Sequence, residues 1–231
     1  MTMRPVSGTR WVQALLLVLG CLMLMGTALA DDGDAGVRRA LQQAVSGPAP
    51  EALADDVVAA LGFRRDTAVT ARVQQETIRA FGRTPDQIAG LEQAIGSGAM
   101  MREFDAILRR YDYDPDNLGD VLAAHLLIAW EVVNDADSRR NPAGQRAVRR
   151  QLMGPLAAVP EVAGMDDAAK QAQAERTAYL TMVSALSYQT MKRNGDRRGL
   201  AALAAGVRSS LQANGVDLQR MHLEDGGLVA R

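Results

Sequence analysis

The sequence predicts an all-α fold: a single-domain bundle of about seven to eight helices with a short extended C-terminal tail. Three observations carry that prediction. Apolar residues recur at helical spacing through most of the chain, and no alternating run is long enough to suggest a sheet. Capping residues, prolines and glycines divide the chain at helix-length intervals. Beyond residue 30 there is no cysteine, so the fold must rest on a buried core, and a chain of this length can bury about 70% of its unfolded surface.

The elements follow in order. Residues 31–36 (DDGDAG) read as a flexible start, and residues 37–231 as the helical domain. A short helix is expected from Val37 to Val45, closed by Ser46-Gly47-Pro48. Pro50 suits the first turn of a second helix, to Leu61. Asp66 can cap a third, with Val69, Val73, Thr77 and Phe81 on one stripe. Thr84-Pro85-Asp86-Gln87 is a capping box with proline in the first turn, opening a helix that Gly96-Ser97-Gly98 breaks. Met100, Met101, Phe104, Ile107, Leu108 and Tyr111 define the next apolar face.

Asn117 opens the most apolar helix, Leu118 to Val133, which belongs in the middle of a bundle. Asn141-Pro142 starts another, to about Val159, with a kink expected at Gly154-Pro155. Residues 166–194 hold neither proline nor glycine and predict one helix of about 40 Å. A last helix carries Leu200, Leu203, Val207 and Leu211, and a tail packs through Leu218, Met221 and Leu223.

The first thirty residues carry the three parts of an export signal. Arg4 and Arg10 are positive, Ala14 to Met25 is apolar, and Ala28-Leu29-Ala30 provides the small residues before a cut. The apolar run is shorter than the roughly 20 residues a membrane span needs. Cleavage after Ala30 and a periplasmic or secreted location are therefore expected, with no transmembrane segment in the processed chain. Val18-Leu19-Gly20-Cys21 loosely resembles a lipoprotein box, which leaves lipidation at Cys21 as the alternative. Loss of residues 1–30 takes the net charge from −1 to about −3, which argues against nucleic acid as a partner.

Much chemistry is excluded. Only His125 and His222 are histidines, so a three-histidine zinc site and an HExxH motif are impossible, and the phosphate-loop and serine-hydrolase signatures are absent. No cofactor and no resident metal is expected. Asp112, Asp114, Asp116 and Asp120 fall at positions 1, 3, 5 and 9 of a calcium loop, but Asn117 replaces its glycine and Ala123 its bidentate glutamate. The alternative is a proline turn that feeds the Asn117 cap. His125 lies on an apolar stripe, where a neutral histidine bonded to a neighbour is usual. Glu131 follows Trp130, roughly in line with Asp120 and Asn134; a carboxylate beside an aromatic can act as an acid, and the alternative is a solvated or arginine-paired glutamate.

Charge is segregated. Residues 112–137 hold seven acids and no Lys or Arg, and Arg139, Arg140, Arg146, Arg149 and Arg150 follow without an acid among them. Either these helices pack so that opposite charges face one another, or the arginines dock an envelope protein or an anionic envelope surface.

Four segments resemble an uncharacterised family of exported proteobacterial proteins. They are Ala68–Gln74 (AVTARVQ), Phe104–Trp130, Ala147–Gln151 (AVRRQ) and Gly215–Met221 (GVDLQRM). The resemblance implies export and one helical domain, and supplies no reaction, ligand or functional residue.

Three functions stay open. The first is non-enzymatic binding of an envelope partner, motivated by the segregated charge. The second is small-molecule or lipid binding, in a pocket lined by Met100, Met101, Met153, Met182 and Met191. The third is a cell-wall hydrolase that works with carboxylates alone. An apolar cavity between helices would favour the second.

Overall fold

The computed structural model describes residues 32–230; the export-signal expectation and Cys21 lie outside them. Those residues form ten α-helices, and their sheet is limited to two short strands near the C-terminus. In chain order the helices are α1 (Asp32–Ala44), α2 (Asp55–Ala60), α3 (Thr67–Phe81), α4 (Pro85–Gly96), α5 (Ala99–Arg110), α6 (Leu118–Asn134), α7 (Pro142–Ala158), α8 (Pro160–Ala163), α9 (Asp167–Asn194) and α10 (Arg197–Ala213). Single 3₁₀ turns lie at Ser138–Arg140 and Leu218–Arg220, and β1 (Met221–Glu224) pairs antiparallel with β2 (Gly227–Ala230).

The caps form where the residues demand them. The Asp66 carboxylate accepts from Ala68 N, and Thr84 and Gln87 exchange both bonds of the capping box. Asn117 Oδ1 accepts from the backbone N–H groups of Gly119 and Asp120, so it satisfies two of the donors a helix start leaves open. Gly195, with φ +66, closes the 28-residue α9.

The apolar helix lies at the centre. Leu118, Val121, Leu122, Leu126, Leu127, Ala129 and Val132 of α6 are all buried, and α6 packs against α7, α9 and α10. The long α9 also touches α3, α5 and α10, while α1 lies on α7 and α8. One contiguous core runs through these contacts, from Val37 on α1 to Leu228 on β2.

Two boundaries differ from the sequence reading, while the end of α7 and the extended tail are as expected and more finely drawn. The chain is already helical at Asp32, so residues 32–36 belong to α1 rather than to a flexible start. Acids at a helix N-terminus favour this, and Gly36 lies so close to α8 that an added Cβ would meet Glu161 Cβ at 2.8 Å. Pro50 does not open a helix: its carbonyl accepts from Arg150 Nε at 2.8 Å, and α2 begins only at Asp55. Pro155 sits inside α7, which runs on to Ala158, and Pro160 opens the separate turn α8. The tail folds into a hairpin around Asp225-Gly226, with register Glu224↔Gly227.

Candidate functional site

A cleft of about 560 Å³ opens between the end of α5, the second half of α6, the segment 135–140 and the end of α9. Its size falls within the roughly 300–1,000 Å³ of small-ligand sites. The inner wall is apolar: Leu108 from α5, Ala124, Leu127, Ile128 and Val132 from α6, and Met182 and Ala185 from α9. These are the residues that helical spacing turns inward, but here the helices diverge around space rather than closing on it.

The mouth is polar and is built by the way two helices end. Asp135, at φ 47, terminates α6 in the left-handed conformation, and Asp112, at φ 58, does the same just after α5, between the lining residues Tyr111 and Tyr113. They are the two non-glycine residues with positive φ among those described, and both adjoin the cleft. Such conformations often mark places where function constrains the backbone.

Segment 135–140 is pinned over the cleft. Glu131 Oε1 accepts from Ser138 N at 2.8 Å and from Ser138 Oγ at 2.7 Å, and Gln145 Nε2 donates to Ser138 Oγ at 2.9 Å. Asp137 accepts from both Arg139 Nε (2.7 Å) and Nη2 (2.9 Å). That contact holds the Asp137 carboxyl below its usual range. On the far side, Lys192 Nζ lies 2.6 Å from Asp135 Oδ1, which also accepts from the Tyr188 hydroxyl. The Lys192 and then the Tyr188 hydrogen bond push the Asp135 pKa down. This trio ties α9 to the end of α6.

Tyr113 is buried, and its hydroxyl donates to Gln145 O at 2.9 Å. Burial, and then the nearby Asp120 charge, raise its pKa, so the phenol remains a donor.

The sequence-predicted residues do not all come together here. Glu131, Arg139 and Arg140 line the cleft. Arg146 is exposed on α7, and Arg150 bonds to Pro50 O. Arg149 leaves the cluster for a bidentate pair with Asp120, a carboxylate with no exposed surface that also accepts from Asp114 N at 3.0 Å. Asp120 and Glu131 therefore serve opposite ends of α6. Asp116 goes to Arg65 at 2.5 Å, and Arg65 also forks onto Asp105 at 2.8 and 2.9 Å, so the acids of the calcium-like run diverge.

His125 Nδ1 is 2.8 Å from Thr181 Oγ1, whose proton goes to Thr177 O at 2.6 Å. The histidine therefore carries its hydrogen on Nδ1 and is neutral, with a pKa that burial lowers to about 4. Of the five methionines proposed for a pocket, only Met182 lines the cleft; Met153 and Met191 fill the core.

Arg110, Tyr188, Gln189 and Lys192 line the mouth and went unmarked in the sequence. The i, i+4 spacing of Tyr188 and Lys192 was the available signal. Nothing local singles out Arg110.

A family model matches residues 34–231. The chain belongs to DUF6683, a family of unknown function. Neither a curated protein nor a solved structure matches it. Membership covers nearly all the described residues and assigns no reaction, ligand or compartment, so the argument for function rests on the cleft. No described helix is long and apolar enough to cross a membrane.

Proposed function

We propose that this DUF6683 member is an exported, non-enzymatic binding protein whose cleft takes a small molecule with an apolar body. The carrying observation is the cleft itself, about 560 Å³ in volume, with an apolar inner wall and a polar mouth. An apolar wall behind a polar mouth, in a cleft of small-ligand size, suits a ligand with an apolar body. The arginines behind the partner-docking expectation form no continuous patch, because Arg149 and Arg150 turn to Asp120 and Pro50. A carboxylate hydrolase needs one acid held protonated, and Asp135 and Asp137 are pushed the other way. Export rests on residues 1–30 and is part of the proposal.

Native mass spectrometry of the protein, recovered gently from its own cells, tests both halves. A chain beginning at Asp31 is the expected form, together with an added small-molecule mass that disappears in Ile128→Trp. A chain that retains residues 1–30 sinks the export half. Protein that is bare in both forms sinks the ligand half and returns the case to partner docking, to be tested by crosslinking in intact cells.

A further inference from the structure

The charges around the mouth favour one sign of ligand. The three carboxylates that line it are all engaged, Glu131 by Ser138, Asp137 by Arg139, and Asp135 by Lys192 and Tyr188, while the exposed Asp112 adjoins the mouth without lining it. Those contacts also engage Arg139 and Lys192. Arg110 and Arg140 remain, both exposed and both lining the cleft; neither guanidinium has a side-chain hydrogen bond or salt bridge among the described residues, although the Arg140 charge also acts on Asp137. Arg110 stands in the last turn of α5, where the helix dipole favours a cation but does not neutralise it. The mouth therefore carries two guanidinium groups without a salt bridge beside an apolar wall, and its lining cations, Arg110, Arg139, Arg140 and Lys192, outnumber its lining acids, Glu131, Asp135 and Asp137. A guanidinium fork matches the paired oxygens of a carboxylate or phosphate.

We infer that the ligand is an anionic amphiphile, with an oxyanionic head between Arg110 and Arg140 and an apolar body against Leu127, Ile128 and Met182. The inference rests on the reading of the cleft as a binding site and adds the chemical class. A head paired with these arginines gains charge-assisted bonds that an alcohol of the same chain length lacks. One such bond corresponds to about tenfold or more in affinity.

Calorimetric titration of the processed protein with decanoate, decyl phosphate and decanol, each below its micelle concentration, tests it. At least one of the two anions should bind about tenfold or more tightly than decanol, and the tighter of them identifies the head. Arg110→Gln with Arg140→Gln, both exposed positions, should erase that preference and leave decanol binding intact. Equal affinity for all three overturns the anionic class and leaves the cleft reading standing. Anion binding that survives Ile128→Trp is surface adsorption and overturns the class as well. Binding of none overturns both.

Discussion

At the N-terminal end of α6, Asp114, Asp116 and Asp120 are tied to a backbone N–H group, Arg65 and Arg149, and Asp120 is fully buried. At its C-terminal end, Glu131, Asp135 and Asp137 are paired too, but nearer to water and by neighbours that frame a cavity. Both ends belong to one acid-rich run without Lys or Arg, residues 112–137. The difference lies in what packs opposite. Arg65 reaches the first end from the loop before α3 and Arg149 reaches it from α7, and so they link three parts of the chain. The second end is tied on one side to the Leu218 and Met221 carbonyls, through Asn134 and Trp130, and on the other meets its own loop and α9 across the cleft. The first end is a clamp, and the second borders a cleft.

The largest effect should come from breaking the closed end. Asp120→Ala strands the half-buried Arg149 guanidinium and the Asp114 N–H together. Removal of one partner of a buried pair costs about 3–5 kcal/mol, read as a lowered urea midpoint. Asp120→Leu with Arg149→Met should recover much of that loss, since it removes both charges. A single variant as stable as the parent would mean that this end is not the clamp described here.

How much of this was legible follows the range of the interaction. The Asn117 cap, the Thr84–Gln87 box and the burial of α6 depend on residues within one or two turns, and the sequence reads them correctly. The choice between opposed charges and an arginine surface depends on pairs such as Asp120–Arg149, 29 residues apart, and both readings were open. The hairpin carried its own mark in Asp225-Gly226, a pair favoured in two-residue turns, but each strand is only four residues long. Gly227 there has φ +112 and lies where a Cβ would meet the Gln151 side chain, so Gly227→Ala should strain the hairpin. The cleft was hardest to foresee, because apolar positions predict an inward face and not whether the opposite helix fills it.

His125, midway along α6, gives the next effect. Its folded pKa of about 4 lies below the 6.5 of a free imidazole, so between these values the unfolded chain takes up a proton that the folded chain refuses. Stability should therefore fall as pH drops from about 6.5 to about 4, by up to about 3 kcal/mol, with no further His125 contribution below that. His125→Gln should flatten the curve in that window. A slope unchanged in the variant would assign the pH dependence to other groups.

Tyr113 joins the two ends, since it lies near Asp120, lines the cleft and donates to Gln145 O on α7. Tyr113→Phe leaves one carbonyl without that donor and should cost about 0.5–1.5 kcal/mol by urea unfolding.

The smallest effect should lie at the open end, and it is the sharpest test of the comparison. Asp137 pairs with an Arg139 that is largely exposed, and water can replace either partner. Exposed pairs of this kind contribute little to stability, so Asp137→Asn should leave the urea midpoint where the parent has it. The substitution also frees Arg139 and adds a third uncommitted guanidinium to the mouth of the cleft. Affinity for an anionic amphiphile should hold or rise in this variant, whereas Asp120→Ala lowers stability and adds no cation to the mouth. If Asp137→Asn instead unfolds the protein as Asp120→Ala does, both ends of α6 are clamps and the cleft is a gap between them.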